Sequence, residues 1–160
     1  MKILIRPVAE AFLQRVRERG VDDLNEPVRR LTAAGGEPCR EVLRRARPGE
    51  EIILASYCPF EVPGPFREFG PIYVLAHSSD EAVARDHFPE SPGRETDYFG
   101  RTLVVRAYDD AQNICDAALT EPASAPALIE QFLGRTNIRL VDARFPTYGC
   151  FACRIERACD

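Results

Sequence analysis

The chain reads as an α+β fold in which a largely antiparallel β-sheet forms the core and two or three short helices pack against it. Three observations lead there. Six segments, Glu51 to Tyr57, Ile72 to His77, Leu103 to Tyr108, Asn113 to Leu119, Ile138 to Phe145 and Cys150 to Glu156, are rich in β-branched, aromatic or small apolar residues. The third and fourth segments, and the fifth and sixth, are separated by too few residues for a helical crossover, so each pair is expected to be an antiparallel hairpin. Apolar residues at helical spacing recur in only two places.

Along the chain, Lys2 to Arg6 is a short apolar strand, and Pro7 opens a helix that runs through Ala11, Phe12, Val16 and Arg19 until Gly20 stops it. Residues 78 to 100 hold Ser78-Ser79-Asp80, His87-Phe88-Pro89 and Ser91-Pro92-Gly93 with no sustained apolar period, which predicts a long irregular surface segment. In the first hairpin, a turn within Asp109 to Gln112 sets Tyr108 opposite Asn113 and Arg106 opposite Cys115. Arg106, Tyr108, Asn113 and Cys115 then share one face, with Val105, Ala107, Ile114 and Ala118 on the other. Pro122 to Pro126 connects to a second helix at Ala127 to Leu133, where Leu128, Ile129, Phe132 and Leu133 form one stripe and Gly134 ends it. The last hairpin turns at Pro146-Thr147 or at Pro146 to Gly149. Either turn puts Val141, Ala143, Phe145, Cys150 and Ala152 on one side, and Leu140, Asp142, Arg144, Phe151, Cys153 and Ile155 on the other.

Composition narrows the function classes. At 160 residues with 45% hydrophobic content, the chain fits a single domain over residues 1–160 with its own core. No stretch approaches the roughly 20 apolar residues that span a bilayer, and Met1 to Arg6 lacks a signal-peptide pattern, so the expectation is a cytoplasmic protein with no membrane partner. A net charge of −4 and a pI near 5.3 argue against a nucleic-acid partner. Six cysteines without a secretory signal are expected to be reduced thiols, with Cys58, Cys115 and Cys159 serving as small hydrophobes. On a straight strand, Cys150 and Cys153 point to opposite faces, and Cys39 has Val42 where a second Cys-x-x-Cys would need its partner. No metal site and no cofactor are therefore expected.

Polar-decorated motifs recur on these ordinary segments: Gly36-Glu37-Pro38-Cys39-Arg40, Gly64-Pro65-Phe66-Arg67-Glu68, Gly70-Pro71-Ile72-Tyr73-Val74-Leu75-Ala76-His77, Arg106-Ala107-Tyr108 and Tyr148-Gly149-Cys150-Phe151. Their order and spacing resemble the bacterial domain-of-unknown-function 1203 family over nearly the whole chain. The resemblance implies no reaction. It implies that Glu68 partners Arg106. It also implies that many relatives carry a cysteine at the Val42 position and another after the histidine strand, where this chain has Ser78-Ser79-Asp80.

Two functions follow from the residues. The first is a binding or interaction module in which Arg40, Glu68, Arg106, Tyr108, Tyr148 and Cys150 line a site for a small anionic ligand or a partner's carboxylate, since arginine's planar fork suits oxyanions. The second is a small cysteine-dependent enzyme. If Pro38 begins a short helix, Cys39 sits in its first turn beside Arg40 and Arg44, where a thiolate is favoured, and His77 is the available base. A homo-oligomer that acts through an apolar patch is a third, plainer possibility.

Overall fold

The computed structural model describes residues 1–89 and 93–158, and its strands fall into two five-stranded sheets. The chain opens with β1 (Ile3–Arg6) and a helix α1 (Glu10–Gln14) that continues as a π-helical turn over Arg15–Arg19. Gly20 ends it with φ 66°, a left-handed conformation that glycine adopts without a Cβ penalty. The next five strands are β2 (Arg29–Thr32), β3 (Pro38–Cys39), β4 (Arg44–Arg45), β5 (Glu51–Tyr57) and β6 (Gly70–Leu75), and they build one sheet in the order β2-β5-β6-β3-β4. The chain then forms β7 (Leu103–Tyr108), β8 (Ile114–Thr120), helix α2 (Ala125–Leu133), β9 (Leu140–Arg144) and β10 (Phe151–Arg157). With β1 these strands make the second sheet, ordered β1-β10-β9-β7-β8.

The α+β class and the antiparallel pairing hold, but two sheets replace the single sheet expected, and β3 pairs with β6 in parallel through the Cys39 to Tyr73 bridge. The sheet of β1, β7, β8, β9 and β10 buries Val105, Ala107, Val141, Ala143, Cys153 and Ile155 against Ala125, Ile129, Phe132 and Leu133 of α2. Each large apolar side chain removed from water there contributes about 1.5–3 kcal/mol. The other sheet packs Ile53, Ala55, Ile72 and Val74 under Phe12, Leu13 and Val16 of the first helix.

Both hairpin registers differ from the expectation, the first already at its turn, where Tyr108 meets Ile114 instead of Asn113, and both at bulges. A bulge between Ala107 and Tyr108 places Arg106 opposite Ala117 and Tyr108 opposite Ile114. A second bulge between Phe151 and Cys153 rotates the rest of β10, so that Cys153 and Ile155 join Val141 and Ala143 while Arg154 faces Asp142. An extra residue exchanges the two faces of a strand beyond it.

Within 78–100 the described residues form no helix or strand, yet Phe88, Tyr98 and Phe99 are buried in the main core, so the segment is in part a wall of the fold. Residues 90–92 of that segment and Cys159 lie outside the described residues. Among the described residues, no helix is long and apolar enough to cross a membrane.

Candidate functional site

The Gly36 to Arg40 motif shapes the start of the site. Gly35 and Gly36 both adopt positive φ. The Glu37 carboxylate accepts the amides of Ala34 and Gly35 at 2.9 and 3.0 Å, closing a turn that leads into β3. The next strand, β4, carries Arg45, whose Nη1 donates to the Gly36 carbonyl at 2.6 Å and whose Nε donates to the Asp97 carbonyl at 2.7 Å.

Arg40 follows β3 and ties the two sheets together. Its amide donates to the Tyr73 carbonyl at 3.1 Å, its Nε to the Phe151 carbonyl of β10 at 2.9 Å, and its Nη1 to the Pro38 carbonyl. The guanidinium carbon lies 4.9 Å from the centre of the Phe145 ring. Only 2% of Arg40 is exposed, and among the described residues no carboxylate pairs with it. Burial lowers its pKa, opposed first by Tyr98 and then by Cys150, Cys39 and Tyr73, none of them a carboxylate. A buried cation normally has an anionic partner, because removing it from water is costly.

Arg40 borders a cavity of about 610 Å³ between the two sheets, lined also by Arg45, Arg101, Tyr73, Tyr148 and Cys150, with no acidic residue among the described residues of its wall. The turn that carries Tyr148 is closed by the Gly149 amide donating to the Phe145 carbonyl at 2.8 Å, with Gly149 at φ 70°. Tyr148 is left 84% exposed at the cavity rim. Arg101 also stands at the rim, paired with Glu95 at 3.2 Å, both side chains in solvent.

A second, smaller cavity of about 180 Å³ shares Pro71, Tyr148 and Cys150 with the first and is lined by Glu68, Arg106 and Arg144. Arg106 donates to Glu68 Oε1 at 3.1 Å, the pairing the family resemblance implies, and Arg144 contacts the same oxygen. Asp142 lies on the same strand face and accepts from Arg154 Nε at 2.8 Å and Nη2 at 3.1 Å. Tyr108 lines neither cavity. It is packed against Phe60 and Leu140, and burial raises its pKa against the opposing charge of Arg144.

Of the residues singled out in the sequence, Arg40, Glu68, Arg106, Tyr148 and Cys150 thus meet around two adjoining cavities. The thiolate argument for Cys39 needs correction. Cys39 lies in a two-residue strand rather than a first helical turn, has no exposure, and hydrogen-bonds the Glu37 carbonyl. Burial, reinforced by Glu41, pushes its pKa up to about 12. Arg44, expected to lower it, is held by Glu50 and Glu81. His77 is on the surface against Glu51 at 2.7 Å. Neither Cys39 nor His77 borders the cavities.

Sequence reasoning passed over Arg45, Arg101 and Arg144 as site residues. Arg144 was visible on one face with Asp142, whereas Arg45 sits on a strand of two residues with no periodic signal. Among the described residues, no group of three or more histidine, cysteine or acidic side chains could hold a metal ion.

No curated protein and no solved structure matches the chain. A family model described as "protein of unknown function (DUF1203)" matches residues 36–157, from the glycine that opens the Arg40 motif to the end of β10. The chain that builds this arginine-lined cleft belongs to that family.

Proposed function

We propose that this protein is a binding module for a small molecule bearing a carboxylate or phosphate, held in the larger cavity by Arg40, Arg45 and Arg101. The observation that carries the reading is Arg40, a nearly buried guanidinium with main-chain carbonyls and an aromatic ring as partners and no acid among the described residues. A ligand oxyanion supplies the missing charge through bidentate hydrogen bonds. Tyr148 and Tyr73 flank the cavity and offer hydroxyl donors and ring faces to the rest of the ligand. A small ligand is favoured over a partner chain's carboxylate because Arg40 lies inside the fold rather than on an open face.

The test is isothermal titration calorimetry of the protein with inorganic phosphate, methylphosphonate and short monocarboxylates, at low ionic strength. Saturable binding is expected, weakened about tenfold or more in Arg45→Gln and Arg101→Gln, since a charged hydrogen bond is worth roughly 1.5–3 kcal/mol. These two variants avoid the buried guanidinium whose loss could unfold the protein. Absence of binding, or binding indifferent to both substitutions, refutes the reading.

A further inference from the structure

Anion binding at Arg40 leaves the burial of Arg144 unexplained. Arg144 is 3% exposed on β9, where Nη1 donates to the Gly149 carbonyl at 2.9 Å and contacts Glu68. Its Nε and Nη2 are buried with no hydrogen-bond partner among the described residues. Asp142 Oδ2 stands 4.0 Å from Nη2, beyond hydrogen-bond reach, and is committed to Arg154. Buried donors left without acceptors are costly, and native structures rarely keep them without a reason.

Glu68 meets this guanidinium in an unusual way. It lies between β5 and β6 in a stretch without helix or strand, its side chain is 43% exposed, and one oxygen, Oε1, meets both Arg106 and Arg144. Three guanidinium groups, of Arg106, Arg144 and Arg154, are thus offset by two carboxylates, Glu68 and Asp142. An oxyanion entering the smaller cavity in place of Glu68 presents two or three oxygens to the donors that Glu68 leaves unused.

We propose that the smaller cavity is a second oxyanion subsite, that Glu68 is the protein's own carboxylate occupying it, and that the ligand is a small dianion spanning both cavities. A dicarboxylate or a phosphonate or phosphate that also carries a carboxylate has this chemistry. One group binds at Arg40 and its neighbours, and the other displaces Glu68 to reach Arg144. This inference rests on the anion-binding reading of the larger cavity.

The experiment is calorimetry with pairs that differ by one charged group: butyrate against succinate, valerate against glutarate, hexanoate against adipate, and propylphosphonate against 3-phosphonopropionate. Each is titrated into the wild type and into Glu68→Gln. At least one dianion is expected to bind about tenfold or more tighter than its single-headed counterpart, because the second contact is made intramolecularly. Glu68→Gln removes the competing charge and is expected to tighten that dianion severalfold while leaving the single-headed ligand unchanged. Dianions that bind no tighter than their counterparts, or a Glu68→Gln protein that binds the dianion more weakly, overturn the second subsite and leave the first intact. Failure of the first reading looks different, because then neither member of any pair binds, or binding ignores Arg45→Gln and Arg101→Gln. Should Glu68→Gln not fold, the paired comparison on the wild type decides alone.

Discussion

Replacing Asp142 by asparagine is expected to cost about 3–5 kcal/mol of folding stability, the range for breaking a buried ion pair by removing one partner. Asp142 has no exposure, and each of its oxygens accepts from the Arg154 guanidinium, itself 8% exposed. Asparagine keeps the shape and one acceptor, but its amide turns donors toward a donor and leaves Arg154 charged and uncompensated. Glu68 would then be the one carboxylate among the described residues facing the guanidinium groups of Arg106 and Arg144. For a chain of this length, about 2–4 °C is lost per kcal/mol, so the melting temperature should fall by about 6–20 °C. Urea unfolding followed by circular dichroism reads the loss as a lower midpoint at unchanged slope. The paired replacement Asp142→Leu with Arg154→Met removes both charges and should recover stability to within about 1 kcal/mol of the wild type. If Asp142→Asn costs less than about 1 kcal/mol, or the double variant is as damaged as the single one, compensation of buried arginine is not the role of Asp142.

Two further outcomes test the site's surroundings. In the native protein, Ellman's reagent should modify the half-buried Cys58 and Cys115 first, while Cys39 and Cys153, both fully buried with pKa values raised by burial, react only on unfolding. Early labelling of Cys39 would restore the nucleophile reading. Glu50 accepts from Arg44 at 2.8 Å through each oxygen, and these hydrogen bonds pull its pKa from 4.5 to about 2. A pKa depressed by folding gives stability that is present above 4.5 and is lost as the pH falls through about 2. Glu50→Gln should therefore flatten the acid limb of the stability curve in that window, and an acid limb as steep as the wild type's would contradict the assignment.

Strand content was legible where burial is one-sided or complete. Glu51 to Tyr57 and Leu103 to Tyr108 are strands with the bounds their composition indicated, and Gly20 stops the first helical run where a left-handed residue is needed. The separate sheet of β2 to β6 was hidden because its distinctive members carry no pattern: β2 is an exposed, arginine-bearing edge, and β3 and β4 are two residues each. Such strands exist because neighbouring strands pair with them, a tertiary cause that local propensity does not record. Val105 and Ala118 share a face as expected, whereas the assignments of Ile114 and of the residues past Phe151 failed at bulges, which sequence periodicity does not reveal. The motif residues were conspicuous one by one. That Arg40 would cross to β10 while Cys39 beside it turned into an apolar cluster depended on packing between sheets.

The pairing of β1 with β10 sets an order on assembly. All the strands of the β2 to β6 sheet lie between residues 29 and 75, so they can pair while the chain is still emerging from the ribosome. The other sheet cannot close until β10 arrives to join β1 to β9, a contact between the two ends of the sequence. Until then β1 and β9 present unpaired edges, and the carbonyl of Phe151 that Arg40 grips is missing. The wall of the cleft around Arg40 is therefore complete only once β10 is in place.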